Sequence, residues 1–229
     1  MMPTMRPRAE VVSMLQRVGV IPVVRCDSSD TAILVAVVLF GARLPVVEIT
    51  MTVPGAIDAI AELVQRHSRD AGERVLVGAG TVTDAATVRR AVDAGAEFIV
   101  SPGHVREVSD AARAAGVAMI PGALTPTEIL AAAKDGADLI KIFPAQAVGG
   151  VSYIRALRGP FPDLLLVPTG GIAPQDVGDF IRAGASAVGA GSELVSPVAL
   201  SRGDYDAIAV RAAEFVAAVA AARKQSKRA

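Results

Sequence analysis

Apolar positions along the chain follow two alternating rhythms. Short β-branched runs recur at Gly19–Arg25, Leu44–Thr50, Arg74–Gly80, Glu97–Ser101, Val117–Pro121, Asp138–Phe143, Leu164–Thr169 and Ser186–Ala190. Between them lie alanine-rich stretches: TAILVAVVLFGA, GAIDAIAELVQRH, DAATVRRAVDAGA, EVSDAARAAG, PTEILAAAKDG and PQDVGDFIRAG. Their apolar residues repeat at helical spacing over roughly two to four turns, so they read as helices.

The punctuation agrees with that alternation. Gly41, Gly95, Gly116, Gly136 and Gly184 stand just before strands, where a chain leaving a helix turns through positive φ. Pro54, Pro126 and Pro174 fall in first turns, and Ser28, Thr83 and Thr125 are candidate caps. Strands that alternate with helices pair in parallel, because parallel neighbours need a crossover. Eight such units in about 190 residues predict an α/β fold, a (β/α)8 barrel, with a doubly wound open sheet as the alternative. No linker, low-complexity stretch or charge block interrupts the pattern. Residues 1–229 therefore read as one barrel domain, with a last helix from Tyr205 to about Arg223 outside it and 1–7 and 224–229 as flexible ends.

Composition narrows the function classes. Among 229 residues, 23 Lys and Arg balance 23 Asp and Glu, which argues against a broad basic surface for nucleic acid or anionic membrane. The longest uncharged apolar run, Thr31–Ala42, falls short of the ~20 residues a bilayer span needs. MMPTMRPRAE lacks the apolar core of a signal peptide, and Cys26 is the sole cysteine, so the expected compartment is the cytoplasm.

Barrel chemistry gathers at the carboxyl ends of strands, and those ends carry polar residues. Strand one ends in Arg25, strand two in Glu48 and Thr50, and strand three runs into Gly80 and Thr81. Strand four ends in Ser101 and Pro102, strand six contains Lys141, strand seven ends in Thr169, Gly170 and Gly171, and strand eight runs into Gly191 and Ser192. Period-two alternation turns Leu139, Lys141 and Phe143 inward, with Ile140 and Ile142 toward the helices; it likewise turns Val46, Glu48 and Thr50 inward and sets Arg25 with Val23. A lysine, a carboxylate and an arginine converge.

Burying an ammonium among Ile140, Ile142, Phe143 and Pro144 is costly unless it is paired, and a desolvated amine is the form that attacks a carbonyl to make a Schiff base. Glu48 suits proton transfer beside such an imine. A purely structural Lys–Glu pair is the bland reading of both. The glycine-rich loops after strands seven and eight occupy the place where barrels bind phosphate on backbone N–H groups, although either alone could be a tight turn. His67 and His104 belong to no metal-ligand spacing, so no metal site is expected, and Cys26 reads as a small buried residue.

The motifs VEIT (Val47–Thr50), VGAGTV (Val77–Val82), FIVSPG (Phe98–Gly103), IPG (Ile120–Gly122), TPTE (Thr125–Glu128), KIFPA (Lys141–Ala145), GPFP (Gly159–Pro162), VPTGGI (Val167–Ile172) and VGAGSEL (Val188–Leu194) occur in this order. Together they resemble the 2-keto-3-deoxy-6-phosphogluconate (KDPG) and 4-hydroxy-2-oxoglutarate (KHG) aldolase family, over about residues 10–220. The resemblance implies a class I aldolase in which Lys141 forms the Schiff base and Glu48 is the acid/base. Thr81 would hold the pyruvyl carboxylate, Pro102 and Phe143 would line the pocket, and Gly170, Gly171 and Ser192 would bind phosphate beside Thr169 and Gly191. It also implies a homotrimer, no cofactor, and a phosphorylated sugar acid cleaved to pyruvate and glyceraldehyde 3-phosphate.

Two positions depart from the family pattern. The best-known branch has an arginine four residues after the glutamate, where this chain has Thr52, so Arg25 is expected to supply that charge. Gln146 stands where relatives often have glutamate. The C4 epimer of the sugar acid and hydroxy-oxoglutarate remain alternative substrates. A phosphosugar isomerase or epimerase, or a non-catalytic sugar-acid-phosphate sensor on the same barrel, are the rival functions.

Overall fold

A computed structural model describes residues 5–67 and 75–226. Helix α1 (Arg8–Val18) leads into β1 (Val20–Val24), α2 (Ser29–Gly41), β2 (Val46–Thr50), α3 (Ala56–His67), β3 (Leu76–Gly80), α4 (Ala85–Asp93) and β4 (Phe98–Val100). There follow α5 (Arg106–Ala114), β5 (Ala118–Ile120), β6 (Gly122–Ala123), α6 (Pro126–Lys134), β7 (Ile140–Ile142), α7 (Val151–Arg158) and β8 (Leu166–Pro168). The chain ends with α8 (Pro174–Arg182), β9 (Val188–Ala190), α9 (Pro197–Arg202) and α10 (Tyr205–Ser226).

All strand pairings are parallel, in the orders β5-β4-β3-β2-β1-β9 and β6-β7-β8. Two links close the ring: the chain itself runs from β5 through Pro121 into β6, and Thr169 bridges in parallel to Gly189. The fold is the expected (β/α)8 barrel. Its fifth stave is broken because Pro121 has no N–H to give the ladder.

Alternation sorts the two cores. Ile21, Val46, Leu76, Phe98, Leu139 and Val167 pack inside the barrel, while Val47, Ile49, Ile140 and Ile142 pack outward in the layer shared with the helices. Val11, Met14 and Leu15 of α1 join the inner cluster, so this helix plugs the end away from the strand carboxyl termini. Nothing in the strand–helix alternation marked α1 for that task, and α7 and α9 likewise lay in stretches without a clear helical pattern.

Several local expectations need correcting. Asp84, not Thr83, caps α4 by accepting the Thr87 amide at 2.7 Å; Ser28 and Thr125 cap α2 and α6 as expected. The left-handed residue after α2 is Arg43 (φ 65), because the helix keeps Gly41 as its last residue. At the amino end, Arg6 is tied to Glu97 and to the Val75 carbonyl, since a half-buried carboxylate takes its guanidinium. At the carboxyl end, α10 continues through Lys224 to Ser226. Residues 1–4 and 227–229, and Arg74 of the third strand as read from sequence, lie outside the described residues.

Candidate active site

Lys141 and Glu48 project into the barrel mouth from β7 and β2, and both are buried, at 8% and 2% relative exposure. Their strands put them there by alternation: the flanking Ile140, Ile142, Val47 and Ile49 all belong to the outer layer. Burial pushes the Glu48 carboxyl above its ordinary range, and the charges of Lys141 and Arg25 oppose that shift without cancelling it. Its Oε1 is buried and has no hydrogen-bond partner among the described residues. Such an oxygen has hydrogen-bonding capacity left over for a substrate or water proton.

Room for that carboxylate comes from Gly80 at the end of β3. A Cβ there would lie 1.8 Å from Glu48 Oε1, so only glycine fits. The next residue, Thr81, adopts φ 58, a left-handed conformation that a β-branched side chain adopts only under strain. Strain of this kind concentrates where geometry serves function.

Arg25, at the end of β1, reaches across the neighbouring strand ends. Its Nη1 donates to Thr52 Oγ1 at 2.8 Å and its Nη2 to Thr81 Oγ1 at 3.4 Å. Thr52 and Thr50 share a hydrogen bond of 2.9 Å, and Thr50 donates to the Val24 carbonyl at 3.0 Å. The arginine expected to cover for Thr52 is therefore bonded to Thr52 itself. From the sequence, Thr52 reads only as a departure, and Thr50 and Gly80 only as strand ends; the available signal is the i, i+2 spacing of two hydroxyls, Thr50 closing β2 and Thr52 in the turn just after it.

On the other side of Lys141, its Nζ stands 5.2 Å from the centre of the Phe143 ring, a cation–π distance. Phe143 remains 42% exposed, so it forms a wall open to the mouth. Beyond it, a Cβ on Gly170 would lie 3.2 Å from the same ring, which places the glycine loop after β8 against Phe143. Gly170 and Gly171 have φ of 99 and 72. After β9, Gly191 accepts from the amides of Leu194 and Val195, at 2.9 and 2.8 Å, in a helical turn that begins with Ser192. Among the described residues, the amides of Gly171, Ile172, Ser192 and Glu193 meet no protein acceptor. Two sets of N–H groups are thus left for an anion.

Pro102 sits two staves from Lys141, with Gly122 between them: a Cβ on Gly122, the register partner of Lys141, would fall 2.2 Å from the Pro102 carbonyl. Thr169 is buried and donates to the Val167 carbonyl at 3.2 Å, so it acts within the stave. Gln146 packs beneath Gly171 and donates to Asp176 at 3.4 Å; Asp176 in turn accepts the Ala173 amide before α8. Outside the mouth, His104 pairs with Asp135 at 2.8 Å, and His67 meets the Phe40 ring edge-on. Among the described residues no group of three or more His, Cys, Asp or Glu could hold a metal ion, and no helix is long and apolar enough to cross a membrane. Burial pushes the Cys26 thiol up, the opposite of an activated nucleophile.

A closed (β/α)8 barrel with a lysine, a buried carboxylate and free loop amides in one mouth defines the class: a barrel whose site is built around a lysine side chain. The family follows from comparison. The model of the KDPG and KHG aldolase family matches residues 11–210, and the chain belongs to that family. It is 35% identical to the 2-dehydro-3-deoxy-phosphogluconate aldolase of Pseudoalteromonas atlantica, over 88% of this chain and 91% of that one. It is 34% identical to the KHG/KDPG aldolase of Escherichia coli K12, over 89% and 93% of the two chains. Among solved structures, it is similar to the KDPG aldolase of Legionella pneumophila with pyruvate captured as a covalent carbinolamine, with a TM-score of 0.81, 30% identity, and coverage of 90% and 97%.

Proposed function

We propose that this chain is a Schiff-base aldolase that cleaves 2-dehydro-3-deoxy-6-phosphogluconate to pyruvate and glyceraldehyde 3-phosphate. The observation that carries the reading is the buried Lys141 facing the buried Glu48, whose carboxyl is pushed up and whose Oε1 is unpartnered. The relatives above are named aldolases, which favours this reading over an isomerase or a sensor.

In this reading the free-amine form of Lys141 adds to the C2 ketone and loses water to give an iminium. Glu48 takes the C4 hydroxyl proton, the C3–C4 bonding pair moves to the iminium, and glyceraldehyde 3-phosphate departs from an enamine. Glu48 returns that proton to C3, and water then adds at C2 and releases pyruvate and the amine. The iminium is the electron sink. A carboxyl held above its ordinary range is suited to accepting and returning one proton near neutral pH.

Arg25 takes the substrate carboxylate beside Thr81, Pro102 and Phe143 line the pyruvyl end, and the amides of the Gly170–Gly171 and Ser192 loops take the phosphate. Preorganised donors of this kind are poorly used by a substrate lacking an oxyanion at that end, which favours the phosphorylated substrate over hydroxy-oxoglutarate. A homotrimer in the cytoplasm completes the proposal, with light scattering as the check on assembly.

Borohydride reduction in the presence of pyruvate tests the reading. An intact mass raised by one reduced pyruvyl group in the native chain, and not in Lys141→Ala, is the expected result. Absence of the adduct from both chains overturns it.

A further inference from the structure

We propose that Thr50 and Thr52 are positioning residues that aim the Arg25 guanidinium at the substrate carboxylate through a hydrogen-bond relay of fixed direction. The inference rests on the aldolase reading above and goes beyond it in assigning work to two residues that the reading leaves without a role.

The direction follows from counting protons. A hydroxyl has one proton to donate. Thr50 spends its proton on the Val24 carbonyl at 3.0 Å, because a carbonyl only accepts. In the 2.9 Å contact between the two hydroxyls Thr50 is therefore the acceptor and Thr52 the donor. The Thr52 oxygen then accepts from Arg25 Nη1 at 2.8 Å. The relay runs Arg25 to Thr52 to Thr50 to Val24, and Val24 is the residue from which the Arg25 backbone leaves β1. The tip of the arginine is thereby tied back to its own root across β1 and β2.

Two consequences follow. Thr52 has no proton left for a carboxylate, so its part in binding an anion is to hold the guanidinium. Arg25 is an exposed side chain rich in rotamers, and fixing it before the ligand arrives removes an entropic cost from binding. Thr50 is fully buried, so any effect of this residue on substrate affinity has to pass through its neighbours.

The test measures the pyruvate concentration that half-saturates borohydride trapping, together with kcat and KM for cleavage. Thr52→Val is expected to raise half-saturating pyruvate about tenfold, as for loss of a hydrogen bond to a charged group, with kcat held within about twofold. Thr50→Val is expected to shift it in the same direction by a smaller factor, and Thr50→Ser and Thr52→Ser to restore the native value. The double variant Arg25→Ala/Thr52→Val should bind pyruvate no worse than Arg25→Ala alone, because a residue acting only through Arg25 has nothing left to act on.

Unchanged half-saturation in Thr52→Val, or single effects that multiply in the double variant, overturns the relay. Should Thr50→Val unfold, the Thr52 variants decide alone, since Thr52 is exposed. A native chain that traps no pyruvate removes the aldolase reading, and the relay with it. A native chain that traps pyruvate beside an indifferent Thr52→Val removes the relay only.

Discussion

Glu48 Oε1 occupies space that belongs to Gly80: the Cβ of any other residue at position 80 would stand 1.8 Å from it. The two lie on the paired strands β2 and β3, and Glu48 is 2% exposed, so the carboxylate cannot yield to a methyl group without leaving its present position. Gly80→Ala should therefore displace Glu48 from the mouth while leaving the strand's φ and ψ acceptable. We expect cleavage to fall by at least about 10²-fold, the scale of losing a placed acid/base, and stability to fall by roughly 1–3 kcal/mol from overpacking. Steady-state rates and urea unfolding check both; a Gly80→Ala chain with native rates would show that Glu48 is not needed where it sits.

Glu48 also predicts a pH signature. Burial raises its pKa above the ordinary 4.5 against the pull of Lys141 and Arg25. The folded chain then binds this proton more tightly than the unfolded chain, so its contribution to stability is present at low pH and is lost as pH rises through the folded value. Glu48→Gln cannot ionise, and its stability relative to the native chain should climb as pH increases above 4.5. Denaturation midpoints of the two chains between acid and neutral pH decide it, and parallel curves would contradict the burial effect. Activity of the same variant should drop by about 10²–10⁴-fold.

Much of this site was legible in the sequence because a barrel converts position into direction. Period two sent Lys141 and Glu48 inward and Ile140, Ile142, Val47 and Ile49 outward, and the cores divide along that line. What the sequence could not show was contact between strand ends. Arg25 and Thr52 lie 27 residues apart, and only the packing of β1 beside β2 makes them partners. The clearance at Gly80 is similar, since strand glycines look alike until the neighbouring side chain is placed. The plug helix α1 was missed for another reason: its apolar face, Val11, Met14 and Leu15, is short and sits before the first strand, where the β/α rhythm makes no demand.

Arg25 carries a prediction of its own. Its guanidinium is held by Thr52 and Thr81 and, among the described residues, forms no ion pair with a carboxylate, although its charge is felt at Glu48, which leaves N–H donors available for an anion. Arg25→Ala should raise KM for pyruvate in the condensation direction by about 10–100-fold, as expected when a charged hydrogen-bonding group is removed. Arg25→Lys should recover only part of this, because an ammonium cannot reproduce the planar fork that meets Thr52 and Thr81 together. An unchanged KM in Arg25→Ala would assign the carboxylate to other residues.

Thr81 stores strain that a pair of variants can isolate. Thr81→Ala and Thr81→Gly both delete the hydroxyl that faces Arg25, but only glycine relaxes at φ 58. The glycine variant should be more stable than the alanine variant by about 1 kcal/mol, the scale of the left-handed penalty for an L-residue. If guanidinium unfolding ranks alanine as equal or better, the turn is not strained. Both variants should weaken pyruvate binding, since both lose the hydroxyl.

The phosphate end should separate from the pyruvate end. Gly171 has φ 72 and packs on Gln146, away from the Phe143 ring and Lys141, and its amide meets no protein acceptor among the described residues. Gly171→Ala strains that turn and crowds Gln146, whose Cβ would lie 3.2 Å from the added methyl. In the condensation direction the variant should lose about tenfold in KM for glyceraldehyde 3-phosphate, the scale of a misplaced donor to a charged group, yet keep its KM for unphosphorylated glyceraldehyde. Half-saturation by pyruvate in borohydride trapping should stay native, because a Cβ on Gly171 meets Gln146 and neither Phe143 nor Lys141. Equal losses for the two aldehydes would mean that the loop shapes the mouth as a whole, and the phosphate would then have to be placed elsewhere.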